Sequence, residues 1–520
     1  MTGNTVAVIG LGAMGIVAVK NLLEEDFDVT GFENSGYVGG LWHYTEDRDT
    51  LSVLKDTQVN VSIDRGCYTD FPFPKGTPPF PSASMVEEYL EAYVDHFHLR
   101  PHLRLNATVE RIVFVDEKQQ WRIDVHGEDA RHFDRIVMAT GPHVRPSMPH
   151  VENSRLLTAE FIHSKAFKRP HDYAGKRVLL LGLGNTSGDI AHALVPHASS
   201  ICIAHHRGAL IMPRLINGQP VNRLVTQRRI NTQDFIERFS PSLVEKSLNK
   251  KAKEVMTNSF GVPKPEWGLE PAPSMMVATP VVSDTLIDHF KSGAVASVPG
   301  VRQVVGPRQV ELEDGEVIEV DAIICCTGYQ NDFGILDPRY DPSASQNPHW
   351  TAAPGSKGRP LPRLYQNVFS LEKPESLAFM GCAWFPTGAF LLADLASMSV
   401  AQIWKGNSDL PTREAMQNWV ARQEERMVAL AQRGSPVPAS VPQREWLLWA
   451  DATAGLGVFE RLGWGLRGWL FWWQERDLWR MLMDGVLTSV MWRLFDQGKR
   501  KPWTGARAEL ERLNQEANQW

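Results

Sequence analysis

Two glycine turns of one design, 172 residues apart, constrain this chain more than any other feature. The first stands in "VAVIGLGAMG" at residues 6–15 and the second in "VLLLGLGNTSGDIAHAL" at 178–194. Each follows an apolar run, Val6-Ala7-Val8-Ile9 or Val178-Leu179-Leu180-Leu181, and leads into helical spacing. Such runs read as buried parallel strands. In G-x-G-x-x-G the first glycine permits a tight turn, the second admits a pyrophosphate, and the third lets helix pack on strand. The helix N-terminus then faces the phosphates with unpaired N–H groups. Gly10, Gly12 and Gly15 complete the pattern around Leu11, Ala13 and Met14. Gly182 and Gly184 begin the second, where Ser187 takes the third glycine's place. The fold class expected is α/β, with two doubly wound dinucleotide-binding (Rossmann-like) domains.

The two turns part company at the end of the next strand. "FDVTGFE" ends at Glu33, 23 residues after Gly10, where a carboxylate can accept hydrogen bonds from an adenosine ribose. The same count from Gly182 reaches His205 in "CIAHHRG", with Arg207 close by. A carboxylate repels a 2′-phosphate, whereas a guanidinium pairs with it bidentately. The first site therefore predicts a cofactor with a free 2′-OH, such as FAD, and the second predicts NADPH. His205 and His206 are read as bystanders.

Composition narrows the class further. At 520 residues, 43% apolar and 22% charged, the chain has the mixture of a globular protein of two or three domains. A net charge of −6 without a Lys/Arg block argues against nucleic acid. Cys67, Cys202, Cys325, Cys326 and Cys382 form no CxxC or CxxxxC, so neither a disulfide framework nor a dithiol enzyme is expected. No signal peptide and no transmembrane helix are predicted. The location expected is cytoplasmic, with a peripheral position on a membrane as the alternative. No Ser/His/Asp set, metal-ligand cluster or carboxylate pair stands out.

Further stretches carry a family resemblance. "GGLW" lies at 39–42, "NVSIDRGCYTDFPFP" at 60–74, "VMATG" at 137–141, "CCTGY" at 325–329 and "LYQNVFSLEKP" at 364–374. In this order and spacing, residues 4 to 406 resemble the flavin-containing monooxygenases, class B flavoproteins that oxygenate soft heteroatoms. The resemblance implies that Gly10, Gly12, Gly15, Glu33, Leu41 and Trp42 hold FAD, and Ala13, Met14, Gly40, Val61, Thr140, Gly141, Thr327 and Gly328 are further cofactor-binding candidates. It likewise implies that Asn185, Thr186, Ser187, Gly188 and Asp189 line the NADP site, beside the Gly182 and Gly184 of the turn and the Arg207 read above. Asn60 matches the family's active-site asparagine, ten residues before Asp70, and would touch both flavin and nicotinamide. By the same resemblance, NADPH reduces FAD, oxygen forms a C4a-hydroperoxyflavin, and one oxygen atom passes to a nucleophilic N or S of a small molecule. Two other functions compete: a Baeyer–Villiger enzyme acting on a ketone or aldehyde, and an uncoupled NADPH oxidase-like flavoprotein.

The sequence also departs from the family pattern. "LTAEFIHSKAF" places Leu157 and Ala159 where Phe and Gly are expected, while keeping His163, Ser164 and Phe167. Phe167 followed by Lys168 favours the heteroatom branch, and His163 is read as orienting a linker. Asp394-Leu395-Ala396 stands where the family has Glu-x-Gln, which puts substrate-pocket analogies in doubt.

The division expected along the chain is an FAD domain at 1–155 and 320–434, because "VDAIICCTGY" mirrors "DRIVMATG", with the NADP domain at 156–319 between. A helical insertion at about 216–280 is read as peripheral. Residues 435–520 form a Trp-rich helical extension; twelve of the 17 tryptophans lie after residue 400. This segment is read as packing back on the FAD domain, with membrane-surface contact or a homodimer interface as competing readings. The partners expected are molecular oxygen and a small-molecule substrate.

Overall fold

A computed structural model describes residues 3–518. Two mainly parallel sheets organise it. The first has seven strands in the order Leu364–Tyr365, Phe369–Ser370, Leu377–Phe379, Arg135–Met138, Thr5–Ile9, Asp28–Phe32, Leu103–Arg104. The second has five, all parallel: Ala296–Pro299, Ser200–His205, Arg177–Leu181, Ala322–Cys325, Glu160–His163. The central strands are buried on both faces, as their unbroken apolar runs require; Val6, Ala7, Val8, Leu179 and Leu180 are fully buried.

The two sheets are copies of one plan, and the likeness runs beyond the glycine turns. In each, a strand leads through the turn to a helix (Ala13–Leu23; Asn185–Leu194) and a neighbouring parallel strand. Each then carries a three-stranded antiparallel meander, at 109–133 and at 301–319. Immediately after its meander, each chain re-enters beside the first strand, at Arg135–Met138 and at Ala322–Cys325.

That repeat corrects one boundary. The expected return to the first domain near residue 320 does not occur there, because Ala322–Cys325 pairs with Arg177–Leu181 in the second sheet. "VDAIICCTGY" mirrors "DRIVMATG" because the two occupy equivalent places in different sheets. Apolar pattern cannot say which sheet a strand joins. The chain is back in the first unit by Phe333–Leu336, packed against Ile112, and rejoins the first sheet at Leu364, through an antiparallel pair and then Leu377–Phe379 alongside Arg135–Met138.

The Trp-rich extension folds as helices, including Gln443–Ala454, Leu466–Gln474, Arg476–Asp484 and Ala506–Asn518; residues 519–520 lie outside the described residues. Much of it packs on the first unit. Trp446 and Trp492 are buried, and Trp446 Nε1 donates to Gln366 O at 2.9 Å. The helix Leu466–Gln474 turns its other face outward, with Leu466 and Trp473 exposed by 83% and 76%, and Trp464 just before it is exposed by 91%. Among the described residues no helix is long and apolar enough to cross a membrane.

Candidate functional site

Both glycine turns are built alike. Gly10 N–H donates to Phe32 O and Gly182 N–H to Ala204 O, each at 2.8 Å. Their φ angles, +97° and +102°, lie where L side chains are strained. A Cβ on Gly15 would stand 1.8 Å from Gly10 O, so helix and turn could not close against each other with any other residue there. Behind each turn lies a Thr-Gly corner: Ala139 N–H reaches Ile9 O at 2.8 Å, and Cys326 N–H reaches Leu181 O at 2.9 Å. Thr140-Gly141 therefore flanks the first turn. Thr327-Gly328 flanks the second turn and not the first, as its strand's place in the second sheet dictates.

At the first turn the residues fit a dinucleotide with a free 2′-OH. Glu33 Oε2 accepts the Leu11 N–H at 2.9 Å, and Oε1 accepts the Ser35 N–H and hydroxyl, both at 3.0 Å. This fixes the carboxylate at the strand end with lone pairs to spare. The "GGLW" turn closes the other side, where a Cβ on Gly40 would come 3.0 Å from Gly12 Cα. Gly12 caps the first helix without a side-chain bond, leaving the helix N–H groups open.

The second turn is similar but busier. Ser187, fully buried, uses its hydroxyl on Gly184: Gly184 N–H donates to Oγ at 2.8 Å and Oγ–H returns to Gly184 O at 2.9 Å. Its part is to cap the helix, so its side chain is not offered to a ligand. Gly188 is likewise buried, near Ser283. Asn185 Oδ1 accepts the Val282 N–H at 2.8 Å, and Thr186 is exposed. Asp189 accepts no hydrogen bond among the described residues, and burial pushes its carboxyl up to about 6 against the pull of Arg214. An acid raised in this way loses folding stability as pH climbs from its ordinary range through about 6. Asp189→Asn should therefore be more stable than the native chain by about 1–3 kcal/mol near pH 8, and no more stable near pH 4. Thermal melts at the two pH values check this; an equal gain at both would remove the ionisation argument.

Past the strand Ser200–His205 lies a cavity of about 780 Å³, lined by Arg207, Trp267, Ser274, Ser297 and Arg433 among others. Its position at the C-terminal end of the strand that pairs with Arg177–Leu181, with an exposed Arg207 on its wall, suits a 2′-phosphate. His205 is no bystander: its ring nitrogens lie 2.7 Å from Arg207 O and 2.7 Å from Ser297 Oγ, fixing the loop that carries Arg207. Arg433, paired with Glu245, comes from a helix more than 200 residues onward and belongs to no motif. Arg207→Ala should weaken NADPH binding roughly 10- to 150-fold and leave NADH binding nearly unchanged. Equal losses for the two nucleotides would place the phosphate elsewhere.

Asn60 sits where the two units meet. Its half-buried carboxamide accepts from Arg214 Nη2 at 2.8 Å. Nearby, Asn222 Nδ2 donates to Ser62 Oγ at 2.8 Å, and Arg223 grips the buried Asp64 carboxylate at 2.8 and 3.0 Å. The insertion expected to be peripheral is thus anchored by its opening residues to the Asn60 segment. Its two helices are not peripheral either: Gln227–Glu237 pairs with the C-terminal extension through Arg228–Asp484 and Asp234–Arg444, and Pro241–Phe260 buries Ala252 and Met256 in the core of the second unit. Nothing in the sequence singled out Arg214.

The remaining site residues resolve simply. Leu41, Trp42 and Val61 stand near the first turn and Asn60, with the Trp42 ring 6.3 Å from Phe390. His163 is engaged at both nitrogens, Nε2 2.9 Å from Gly328 O and Nδ1 3.1 Å from the Lys165 N–H. Burial lowers its pKa. Asp394, fully buried, accepts from Thr69 N–H, Thr69 Oγ and Asn21 Nδ2, all at 2.8 Å. It is a core residue.

Comparison with known proteins places these features in context. A family model described as "FMO-like: Flavin-binding monooxygenase-like" matches residues 3–510. The chain is 41% identical to "Monooxygenase aurF" of Gibberella zeae over 519 residues, covering 99% of this chain and 98% of that protein. It is 28% identical to flavin-containing monooxygenase 5 of Oryctolagus cuniculus, covering 98% and 92%. Among solved structures, S-allyl-L-cysteine S-oxygenase of Allium sativum superposes with a TM-score of 0.62 at 20% identity, covering 87% and 88%. An ε-caprolactone-bound cyclohexanone monooxygenase gives 0.61 at 17%, covering 87% and 98%. The two structures share this chain's fold.

Proposed function

The chain belongs to the flavin-binding monooxygenase-like family, with FAD and NADPH as its cofactors, and on that premise we propose that it transfers one oxygen atom from O2 to a nucleophilic nitrogen or sulfur of a small organic substrate. When bound, FAD and NADPH supply the hydride and oxygen chemistry. The balance is one NADPH, one proton and one O2 consumed for each oxygenated product and one water. The observation that carries the reading is a pair of like-built glycine turns, one followed by Glu33 and the other by Arg207, with Asn60 at the seam between their units.

The chain's own residues have bounded tasks in this scheme. Glu33, held by Leu11 and Ser35, selects the free 2′-OH, and Arg207 selects the phosphate. With FAD bound, Asn60 would offer its amide hydrogens at the reacting end of the cofactor. Arg214 holds the Asn60 carboxamide, while Asn222–Ser62 and Arg223–Asp64 tie the two units together beside it. No side chain is asked to be a nucleophile.

The experiment is a turnover assay under 18O2 with parallel amine, sulfide and ketone panels. The expected result is an N- or S-oxide carrying one labelled oxygen per NADPH consumed. Labelled ester or lactone from the ketones alone would favour Baeyer–Villiger chemistry. Peroxide matching NADPH with every compound would mark an oxidase.

A further inference from the structure

Arg214 is 7% exposed, yet its guanidinium is turned across the seam toward the other unit. Its Nε donates to Val59 O at 3.0 Å, and Nη2 donates to Gln58 O at 3.3 Å and to Asn60 Oδ1 at 2.8 Å. Asp284 holds it from behind: Oδ2 takes Nη1 at 2.9 Å and Oδ1 takes the Arg214 backbone N–H at 2.8 Å. Two residues before Asp284, Val282 N–H is bound by Asn185, the first residue of the helix at the second glycine turn. A short run of hydrogen bonds and backbone therefore joins that turn to Asn60, through Asn185, Val282, Asp284 and Arg214.

The chemistry of the Arg214–Asn60 contact is asymmetric. A guanidinium has five donors and no acceptor, whereas a carboxamide has one face of each kind. Only the carbonyl oxygen of Asn60 can face Arg214, so the amide group must face away. No protein acceptor among the described residues takes its hydrogens. Without Arg214 the two orientations of the amide would differ little, and an asparagine that flips presents an acceptor where a donor is needed.

We propose that Arg214 is the positioning residue that fixes the Asn60 carboxamide with its N–H groups toward the reacting centre, and that through Asp284 it makes this orientation depend on the second nucleotide turn. The proposal rests on the role of Asn60 in the proposed function. A staple between the units would not need this geometry, since Asn222–Ser62 and Arg223–Asp64 already supply two.

The test compares Arg214→Ala, Arg214→Lys, Asn60→Ala, the Arg214→Ala/Asn60→Ala double variant and the control Asn222→Ala, all as full-length FAD-loaded protein. Three quantities are read: peroxide formed per NADPH, the visible difference spectrum that NADP⁺ induces in the oxidised protein, and the melting temperature. Arg214→Ala should lower the ratio of product to peroxide at least tenfold and diminish the difference spectrum. The double variant should be no worse than Asn60→Ala alone, because one residue acts through the other. Lysine should restore the ratio only in part, being a single point charge in place of a fork. Asn222→Ala should leave coupling native. Native coupling in a folded Arg214→Ala protein, or losses that multiply in the double variant, would overturn the proposal. Native coupling in Asn60→Ala would instead remove the role assigned to Asn60, and Arg214 with it. Should Arg214→Ala fail to load flavin, Asp284→Asn serves, with a smaller shift in the same direction expected and native coupling overturning the proposal.

Discussion

Alanine at position 60 should leave NADPH oxidation running while the yield of oxygenated product per NADPH falls roughly 10²-fold, the scale on which a single preorganised donor acts. The side chain reaches the seam from the first unit, with its oxygen committed to Arg214 and its N–H groups uncommitted among the described residues. Removing it deletes a donor without touching Glu33, Arg207 or either glycine turn, so both nucleotides should still bind and hydride should still pass. The missing product should appear as hydrogen peroxide in equal amount. Parallel assays of NADPH, product and peroxide decide the matter. A variant with native yield would show that Asn60 is a turn residue and nothing more.

The second large effect concerns stability. Asp70→Ala should destabilise the protein by about 3–5 kcal/mol, the usual loss when a buried ion pair is broken from one side. Asp70 lies buried between Lys20, on the first helix, and Arg493, in the Trp-rich extension, with Arg493 Nη1 at 2.7 Å. Lys20 also meets Glu24 at 2.7 Å, and Arg500 joins Glu24 and Asn21. Without Asp70 three nearly inaccessible cations, Lys20, Arg493 and Arg500, would be left to share the Glu24 carboxylate. Denaturant midpoints, with flavin content as a control, measure the loss; a change below about 1 kcal/mol would mean the cluster is bridged by other groups.

The same cluster sets an acid limit. Burial alone would raise the Asp70 and Glu24 carboxyls, but the cations around them outweigh it: Lys20 and Arg493 beside Asp70, Arg500 and Lys20 beside Glu24. Both end below their ordinary range. A carboxyl depressed on folding contributes stability that is complete above its unfolded pKa and is lost as pH falls through the folded one. The extension should therefore detach only on strong acidification. Asp70→Asn should lose stability chiefly above the carboxylate range and converge on the native chain below it.

Much of the fold could be read directly because it rests on local chemistry. Positive φ at Gly10 and Gly182 and the close approach at Gly15 demand glycine wherever such a turn is built, so the turns declare themselves in any context. Glu33 could be singled out by counting, because strand and helix lengths hold the end of the second strand at a steady offset from the turn; the same count reaches His205, and Arg207 was picked for its charge two residues on. Asn60 was legible only through the ordered motifs around it. Arg214, Arg433 and the Asp70 cluster were not legible at all. Each depends on residues tens to hundreds of positions apart, and an isolated arginine or lysine carries no sign of being buried.

The clearest division lies in "VDAIICCTGY". By itself the sequence determined that this stretch is a buried strand ending in a Thr-Gly corner, because apolar runs and glycine turns express backbone sterics and burial that need no partner. Only the tertiary structure decided that the strand lies beside Arg177–Leu181 in the second sheet. Parallel strands offer the same row of N–H and C=O groups to any neighbour. The choice of neighbour is set by how the whole chain packs.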